Sequence, residues 1–352
     1  MDCQTQAAHL GNVREATSPG RMPRGTLWPR HEMTANLLVL LLAAPLFAQD
    51  AAMAPAALPG KGLAQHDFFY AGEQKQHHMF IVRKGLVTWS YIDDASRGEI
   101  SDAVLLSNGN VLFAHQFGVT LITPGKKVLW HYEAPKGAEV HTAQPIGTAH
   151  VLFIQNSDPA FLRVVNIATN QVVREFPLPT GNPKSVHGHF RHARLTPAGT
   201  ILVAHMDNKK VAEYDSHGRE LWSYAIDSPW SASRLPNGNT LIATNRKLVV
   251  EVDPKGQTVW ELKPEDIPDY KIDGFQIATR LPNGNTLVNN WLNTWNTTVN
   301  PSAVQALEFT PAKKLVWALR SWTAPADLGP ATTLQLLDGR SVPEKVHFGD
   351  IK

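Results

Sequence analysis

Short apolar segments separated by polar turns run through most of the chain, and they form a repeat. Two copies read Arg-Leu-Pro-Asn-Gly-Asn-Thr-Leu, at residues 234–241 and 280–287. Asn-Gly between two apolar runs favours a tight turn with positive φ, so each copy predicts two antiparallel strands joined by a hairpin. Weaker copies occupy residues 106–112, 145–152, 194–202 and 336–340.

A second feature recurs later in each unit, an apolar strand that ends in an aromatic residue. These aromatic residues are Trp89, Trp130, Phe176, Trp222, Trp260 and Trp317. A hairpin that alternates with a turn and such a strand gives about four strands per unit, and repeated units of this kind are typical of β-propellers. We therefore predict an all-β, six-bladed propeller built from four-stranded antiparallel blades.

The two ends of the repeat region predict how the ring closes. The first unit supplies three strands, at residues 67–72, 78–83 and 86–91, and lacks an innermost strand. We expect the C-terminal strand at 331–337 to take that place, because a shared blade leaves no open sheet edge. The propeller is thus predicted to span residues 66–352.

The blade ends also resemble known repeats. Gly-x-x-x-Trp begins at Gly85, Gly218 and Gly256 and is similar to the pyrroloquinoline-quinone-type (quinoprotein-like) propeller repeat. The Leu-Pro-Asn-Gly-Asn unit is similar to repeats of arylsulfotransferase-like propellers. The resemblance covers residues 66–340 and implies that the six aromatic residues dock each blade on its neighbour. Quinone dehydrogenases of this type have eight blades and a vicinal cysteine pair, whereas this chain has six predicted blades and a single cysteine, Cys3. We therefore predict no cofactor, and the quinone (PQQ) or calcium is the alternative.

The N-terminal region predicts export. Residues 37–48 form an apolar run of signal-peptide length after Arg24 and Arg30, and the run is short for a membrane span. We predict a leader and signal peptide over residues 1–48, with the true start at Met22 or Met33, and a linker over 49–65. The mature protein would be periplasmic or extracellular, without a membrane span. A buried helix or a retained anchor is the alternative.

The composition and charge of the chain limit the classes of binding partner that we expect. The formal net charge is +2 and 18% of the residues are charged, which argues against nucleic acid as a partner. Cys3 is the only cysteine and lies in the predicted leader, so no disulfide or thiolate metal site is expected. We predict a monomer that binds a protein, a glycan or a small anionic ligand.

The segments that begin the innermost strands are the candidate site, because ligands of propellers usually meet a channel mouth. His187, His189 and Arg191 alternate, so an extended strand would place them on one face, with His192 on the other. His141 begins the corresponding strand of the preceding blade. Such a cluster suits a sulfate, phosphate or carboxylate. No metal site is predicted, since the histidine spacing lacks a carboxylate partner nearby. Capping of loops is the alternative role.

Two further sets of polar residues remain as candidates. One set of amides and indoles follows the fifth copy of the repeat and contains Asn289, Asn290, Trp291 and Trp295. These side chains could stack on a sugar or an aromatic ring, and the alternative is that they cover a blade edge. Asp273, with Glu265 and Asp266, offers carboxylates for the histidines or for calcium.

Arginines also recur in the repeat. Arg194, Arg234 and Arg280 occupy the same place in three copies, which predicts structural contacts between blades.

Three functions follow from these observations. The first is a binding or scaffold module that acts through its channel mouth. The second is a channel enzyme. The arylsulfotransferase resemblance implies His192 as its nucleophile, with Arg191 and His141 stabilising charge. The third is a quinone-dependent dehydrogenase.

Overall fold

The Asn-Gly turns of the repeat close hairpins in the structure, a computed structural model that describes residues 55–73, 77–93, 97–292 and 303–352. At Gly238 the backbone has φ +88°, and its N–H donates to the carbonyl oxygen of Leu235 over 2.9 Å. Glycine adopts this conformation without steric cost, which explains its place in the turn.

The hairpins assemble into six four-stranded antiparallel sheets. Blade 1 contains β1 (Phe68–Gly72), β2 (His78–Arg83), β3 (Leu86–Ile92) and β24 (Ala331–Leu336). Blade 2 contains β4 (Ile100–Leu105), β5 (Val111–His115), β6 (Gly118–Ile122) and β7 (Val128–Glu133). Blade 3 contains β8 (Glu139–Ile146), β9 (His150–Asn156), β10 (Ala160–Asn166) and β11 (Val172–Leu178).

The other three blades follow the same order. Blade 4 contains β12 (Phe190–Leu195), β13 (Ile201–His205), β14 (Lys210–Tyr214) and β15 (Glu220–Ala225). Blade 5 contains β16 (Pro229–Arg234), β17 (Thr240–Thr244), β18 (Val249–Val252) and β19 (Thr258–Leu262). Blade 6 contains β20 (Phe275–Arg280), β21 (Thr286–Asn290), β22 (Ala306–Phe309) and β23 (Leu315–Leu319).

The inner strands β24, β4, β8, β12, β16 and β20 each contact the inner strands of both neighbouring blades, which closes a ring around a central channel. β24 pairs antiparallel with β1, with Leu336 opposite Phe68. The predicted all-β, six-bladed fold and its closure by the C-terminal strand are confirmed.

The hydrophobic core lies between the blades. Six apolar clusters form within the described residues, and each joins two adjacent blades. Between blades 1 and 2, Phe69, Met79 and Phe113 are completely buried. Burial of each such side chain contributes about 1.5–3 kcal/mol. Because the core occupies the interfaces, polar residues can face the channel.

The aromatic residues predicted to end the outer strands lie within those strands, and several of them contact the next blade. Trp130 of blade 2 donates from Nε1 to the Asn170 side chain of blade 3 over 2.6 Å. Trp317 of blade 6 is fully buried and donates to the carbonyl oxygen of Gly62 over 2.9 Å. Trp222 and Trp260 are half-buried, with guanidinium groups of the next blade 5.2 and 5.1 Å from their ring centres.

Two of the repeated arginines connect blades as expected. Arg234 bonds to Glu213 of blade 4, and Arg280 bonds to Glu251 of blade 5 over 2.7 Å. In both cases the carboxylate of the preceding blade lies directly opposite the indole in its own sheet.

Arg194 does not share this position, so the prediction that the three arginines are equivalent is wrong. Arg234 lies opposite Thr240, in the last pair before the turn. In blade 4 that last pair is Leu195 opposite Ile201, and Arg194 comes one residue earlier. A shift of one residue moves a side chain to the other face of a strand. Arg194 therefore contacts residues across the channel wall.

Both ends of the described chain contact the propeller. Within the predicted linker, Pro59 accepts a hydrogen bond from the backbone of Ala318 on β23 over 3.1 Å. After β24, Glu344 accepts hydrogen bonds from Ser107 of blade 2, and Phe348 is fully buried between blades 3 and 4. The predicted leader and signal peptide lie outside the described residues, and within the described residues no helix has the length and apolar character needed to cross a membrane.

Candidate functional site

The six inner strands begin at the same end of the channel, which we call the front mouth. Strands that run in the opposite direction end there. Gly72 at the end of β1 pairs with Ala331 at the start of β24, and Asn290 at the end of β21 pairs with Phe275 at the start of β20. Residues that precede an inner strand therefore meet residues that follow β1 and β21.

Two histidines and two glutamates form a hydrogen-bonded group at this mouth, the His–Glu cluster of Glu99, Glu139, His141 and His187. Oε2 of Glu139 lies 2.8 Å from Nε2 of His141 and 2.7 Å from Nδ1 of His187. Nδ1 of His141 lies 3.2 Å from Oε1 of Glu99. His141 is 1% exposed, whereas the side chain of His187 is 52% exposed.

These contacts correct one sequence-based premise. The absence of a nearby carboxylate was the reason to expect no metal site, and that reason is wrong. Glu99 precedes β4 and Glu139 opens β8, so the propeller brings both beside the histidines. Both lie in segments that begin inner strands, and attention to carboxylates in those segments would have found them.

The glutamates differ in protonation because their surroundings differ. Burial alone would raise the pKa of Glu99, but the hydrogen bond from His141 and the charges of His141 and Arg191 outweigh it and lower the pKa to about 2. Burial would also raise the pKa of Glu139, but the hydrogen bonds from His141 and His187 outweigh burial and lower it. Burial and the charge of Glu99 raise the pKa of Glu73 well above its ordinary value.

Beside the cluster lies a second group, the aromatic platform of Glu73, Arg191, Trp230 and Trp291. The guanidinium of Arg191 lies 5.2 Å from the ring centre of Trp230, and the Trp230 and Trp291 rings are 5.1 Å apart. Nε1 of Trp291 donates to Oε2 of Glu73 over 2.8 Å. The platform thus joins blades 4, 5, 6 and 1 at the front mouth.

Arg191 has hydrogen-bonding capacity that the described residues do not use. It is 7% exposed, and neither Nε nor Nη1 has a hydrogen-bond partner there. Burial lowers the pKa of Arg191, an effect opposed by the charges of Glu99, Glu73 and Glu139. These carboxylates act on the guanidinium through their charge.

The predicted alternation of His187, His189 and Arg191 along one strand face is wrong. β12 begins only at Phe190, and His187 lies in a 3₁₀ turn, Val186–Gly188. His189 is fully buried, with Nε2 2.8 Å from the carbonyl oxygen of Asn182, so it holds the loop before β12. His187 and Arg191 reach the front mouth independently.

His192 lies deeper in the channel wall and is held on both nitrogens. Nε2 is 3.0 Å from the carbonyl oxygen of Ser101, and Nδ1 accepts from Arg194 over 2.8 Å. Burial lowers the pKa of His192 to about 3, although the charge of Asp102 opposes this effect. A neutral imidazole with both nitrogens occupied does not suit a nucleophile. This geometry favours a structural role for His192.

The other predicted ligand-binding residues lie in different parts of the structure. Trp291 lies in the aromatic platform. Asn290 is fully buried, donates to the carbonyl oxygens of Lys271 and Val304 over 2.9 Å, and accepts from the backbone of Asp273 over 3.2 Å. Asn290 and Asp273 thus fix the loop before β20.

Three more candidates among the described residues are not joined to the His–Glu cluster by these contacts. Asn289 is 1% exposed, with no partner at Nδ2 among the described residues. Asp266 bonds to Lys313 over 2.9 Å, and Glu265 lies beside it in the 3₁₀ turn Pro264–Asp266. Trp295 lies outside the described residues. Trp230 also belongs to the front mouth although no sequence motif singled it out, and its place at the start of the innermost strand β16 is the signal for it.

A separate cavity of about 730 Å³ opens at the opposite end of the channel, where the inner strands end. Its lining includes Gln144, Arg194, Thr279 and Gln335. Arg340 in the segment after β24 also lines it. This cavity and the His–Glu cluster therefore lie at different ends of the channel. We place the candidate site at the front mouth, where buried ionisable groups from several blades converge.

No family model and no curated protein matches the chain. Among solved structures, a protein of unknown function from Bacteroides caccae superposes with a TM-score of 0.67 at 23% identity, over 76% of this chain and 98% of that chain. Virginiamycin B lyase from Staphylococcus aureus, as a catalytically inactive variant with quinupristin, gives 0.51 at 12% identity over 75% and 88%. A streptogramin B lyase gives 0.50 at 10% identity over 77% and 88%. At these identities the likeness shows a shared β-propeller fold, and the quinone-type and arylsulfotransferase-like repeats stay predictions.

Proposed function

We propose that the chain is a binding module whose front mouth holds a small molecule with an anionic group attached to a planar ring. The observation that carries this proposal is the buried guanidinium of Arg191, which lacks acceptors at Nε and Nη1 within the described residues. A buried donor without an acceptor costs about 1–3 kcal/mol, and more when it is charged. A carboxylate, sulfate or phosphate offers two oxygens that match the guanidinium fork.

The aromatic platform supports the second half of the ligand, the ring. Trp230 is 6% exposed and fixes the place of Arg191, while Trp291 is only partly buried. An indole that is only partly buried, beside a charged group, favours an aromatic or sugar ring that stacks on it. Arg191 would position the anion, and Trp291 would position the ring. Export, predicted from residues 1–48, stays part of this proposal.

Titration calorimetry with three probes tests the proposal: 4-nitrophenyl sulfate, 4-nitrophenyl phosphate and 4-nitrobenzoate. They share a ring and differ in the anion, while inorganic sulfate and 4-nitrophenol test each half alone. We expect at least one probe to bind, and Arg191→Met to weaken it at least about tenfold, the effect of losing a charge-assisted hydrogen bond. Arg219→Met, on an exposed turn, is the matched control, with a side chain that is 77% exposed. Failure of all three probes, or equal binding by both variants, contradicts the proposal.

A channel enzyme is the second candidate, and the contact between His141 and Glu139 favours it. An imidazole held by a carboxylate is an arrangement that general bases use. Two of the structures with a similar fold are lyases. Release of 4-nitrophenol from the sulfate ester, with phenol as acceptor, would indicate sulfuryl transfer, and His141→Gln should abolish it. Binding without release supports the binding module.

A further inference from the structure

Three members of the His–Glu cluster lie close enough together to share one ion. Glu99, His141 and His187 each offer a ligand atom, and these atoms lie within 4.8 Å of one another. They come from blades 2, 3 and 4, because Glu99 precedes β4, His141 lies on β8 and His187 precedes β12. Two imidazole nitrogens and one carboxylate oxygen are a donor set that zinc and other divalent transition metals accept.

The hydrogen bonds of the cluster leave a place for a cation. His141 lies between two carboxylates, with Nδ1 3.2 Å from Glu99 and Nε2 2.8 Å from Glu139. A neutral imidazole has one N–H, so it donates to only one of them. The other nitrogen then presents a lone pair to an anion. A second proton, the hydroxyl of Ser101 2.9 Å away, or a metal ion at this nitrogen removes the conflict.

We propose that Glu99, His141 and His187 bind one divalent transition-metal ion at the front mouth. Nδ1 of His141 and Oε1 of Glu99 face the ion, and Nε2 of His187 supplies the third ligand. Glu139 accepts the remaining N–H of each imidazole, over 2.8 Å from His141 and 2.7 Å from His187. A carboxylate in this position fixes the orientation and the tautomer of metal-binding histidines. This orienting role of Glu139 accounts for the contact of both imidazoles with the same oxygen atom, Oε2.

Ser101 fits the same arrangement. Its Oγ lies 3.1 Å from Oε1 of Glu99 and 2.9 Å from Nδ1 of His141. With the ion bound, the hydroxyl donates to Glu99 and leaves the nitrogen lone pair to the metal. Three protein ligands leave a fourth position open on the ion, as in zinc sites that bind a water or a substrate.

The ion would also change which ligands the mouth attracts, a consequence that rests on the proposed function. Arg191 lies near three carboxylates at this mouth, those of Glu73, Glu99 and Glu139. A divalent ion beside Arg191 adds positive charge there, and its open position can accept an oxygen of the anionic ligand. The metal site itself does not depend on this consequence.

Titration calorimetry of the full chain with ZnCl₂, after dialysis against a chelator, tests the metal site without any organic ligand. We expect saturable binding of one ion per chain, and the visible absorption of bound Co²⁺ when CoCl₂ replaces zinc. Glu99→Gln and His187→Asn should each weaken binding at least about tenfold, and Glu139→Gln by about 10–100-fold. His217→Asn, on an exposed turn, is the control and should bind as the wild type does.

The His187→Asn variant should remain folded, because the His187 side chain is half-exposed and its loss should not unfold the blade. Weaker metal binding by this variant therefore reports on the site itself. A thermal melt of each variant verifies the fold. Absence of saturable binding, or binding that Glu99→Gln and His187→Asn leave unchanged, overturns the metal site. Zinc binding with no binding of the nitrophenyl probes would reject the proposed function alone. Probe binding by a chain that binds no zinc would reject the metal site alone.

Discussion

The carboxylate of Asp102 in blade 2 accepts two hydrogen bonds from the guanidinium of Arg194 in blade 4, each 2.8 Å long. Thr142 of the intervening blade 3 donates to the same carboxylate over 3.0 Å. Burial alone would raise the pKa of Asp102, but the charge of Arg194 and the hydrogen bonds from Arg194 and Thr142 hold it below its ordinary value. These residues therefore connect three blades through one buried charge pair.

Arg194→Met should lower the free energy of unfolding by about 3–5 kcal/mol, because it leaves a buried carboxylate without its partner. Asp102 is 1% exposed, so its carboxylate has little contact with water to offset the loss of the guanidinium. The pKa of Asp102 should rise in the variant, and the loss should therefore be larger in alkaline than in acidic buffer. Urea denaturation at both pH values measures this.

Lys209→Met is the control for that experiment. It removes an ion pair with Asp227 at 3.6 Å, in which the side chains are 69% and 44% exposed. Exposed pairs contribute about 0–1 kcal/mol. A loss in Arg194→Met no larger than the loss in Lys209→Met would show that the buried pair does not hold the blades together.

The fold was predictable because its signals are local. A hairpin turn, a flanking strand and an aromatic residue in the outer strand each occupy a few adjacent residues, and their repetition gives the number of blades. Closure followed from the three strands of the first unit, since an unpaired edge is unfavourable. The pairing of β1 with β24 requires no further information.

The site was predictable only in part, because its partners come from different blades. Glu99 and His141 are far apart in sequence, and only the ring brings them into contact. The offset at Arg194 shows the other limit. Alignment by residue type placed it with Arg234, whereas the pairing of Leu195 with Ile201 moves it by one residue and to the opposite face.

Trp317→Ala should destabilise the protein more than Trp222→Ala. Trp317 is fully buried and donates to Gly62, so its removal should cost about 3–5 kcal/mol. Trp222 is half-buried and stacks on Arg234, so a cost of about 1–2 kcal/mol is expected from its smaller buried area. Chemical denaturation of both variants measures the difference. Equal losses would argue against burial as the source of the docking energy.

Stability should fall as the pH falls below that of neutral solution. Burial lowers the pKa of His115, His192 and His205 to about 3 each. Free histidine titrates near about pH 6.5, so between these values the unfolded chain binds more protons than the folded chain. Each histidine then contributes a slope of up to roughly 1.4 kcal/mol per pH unit, and this slope disappears above about pH 7.

His192→Gln tests the contribution of one group to that slope. An amide can accept from Arg194 and donate to Ser101, as the imidazole does, but it does not titrate. The unfolding free energy of this variant should depend less steeply on pH between about pH 4 and about pH 6. His217→Gln, at an exposed position, serves as the comparison. A slope identical to that of the wild type would mean that His192 is protonated in the folded protein.

Gly218→Ala should destabilise the protein more than Gly256→Ala, although the two glycines occupy equivalent turns with φ of +84° and +80°. A side chain at either position carries the cost of a left-handed conformation, about 1–2 kcal/mol. At Gly218 an added Cβ would lie 2.7 Å from the ring of Phe176 in the preceding blade, whereas at Gly256 it would lie 3.6 Å from Tyr224. The overlap with Phe176 should add about 1–3 kcal/mol, the usual cost of overpacking. Phe176→Leu in the Gly218→Ala background should recover part of that excess, and urea denaturation of the variants would reveal it. If both alanine variants lose the same stability, Phe176 does not dock tightly on the turn of blade 4.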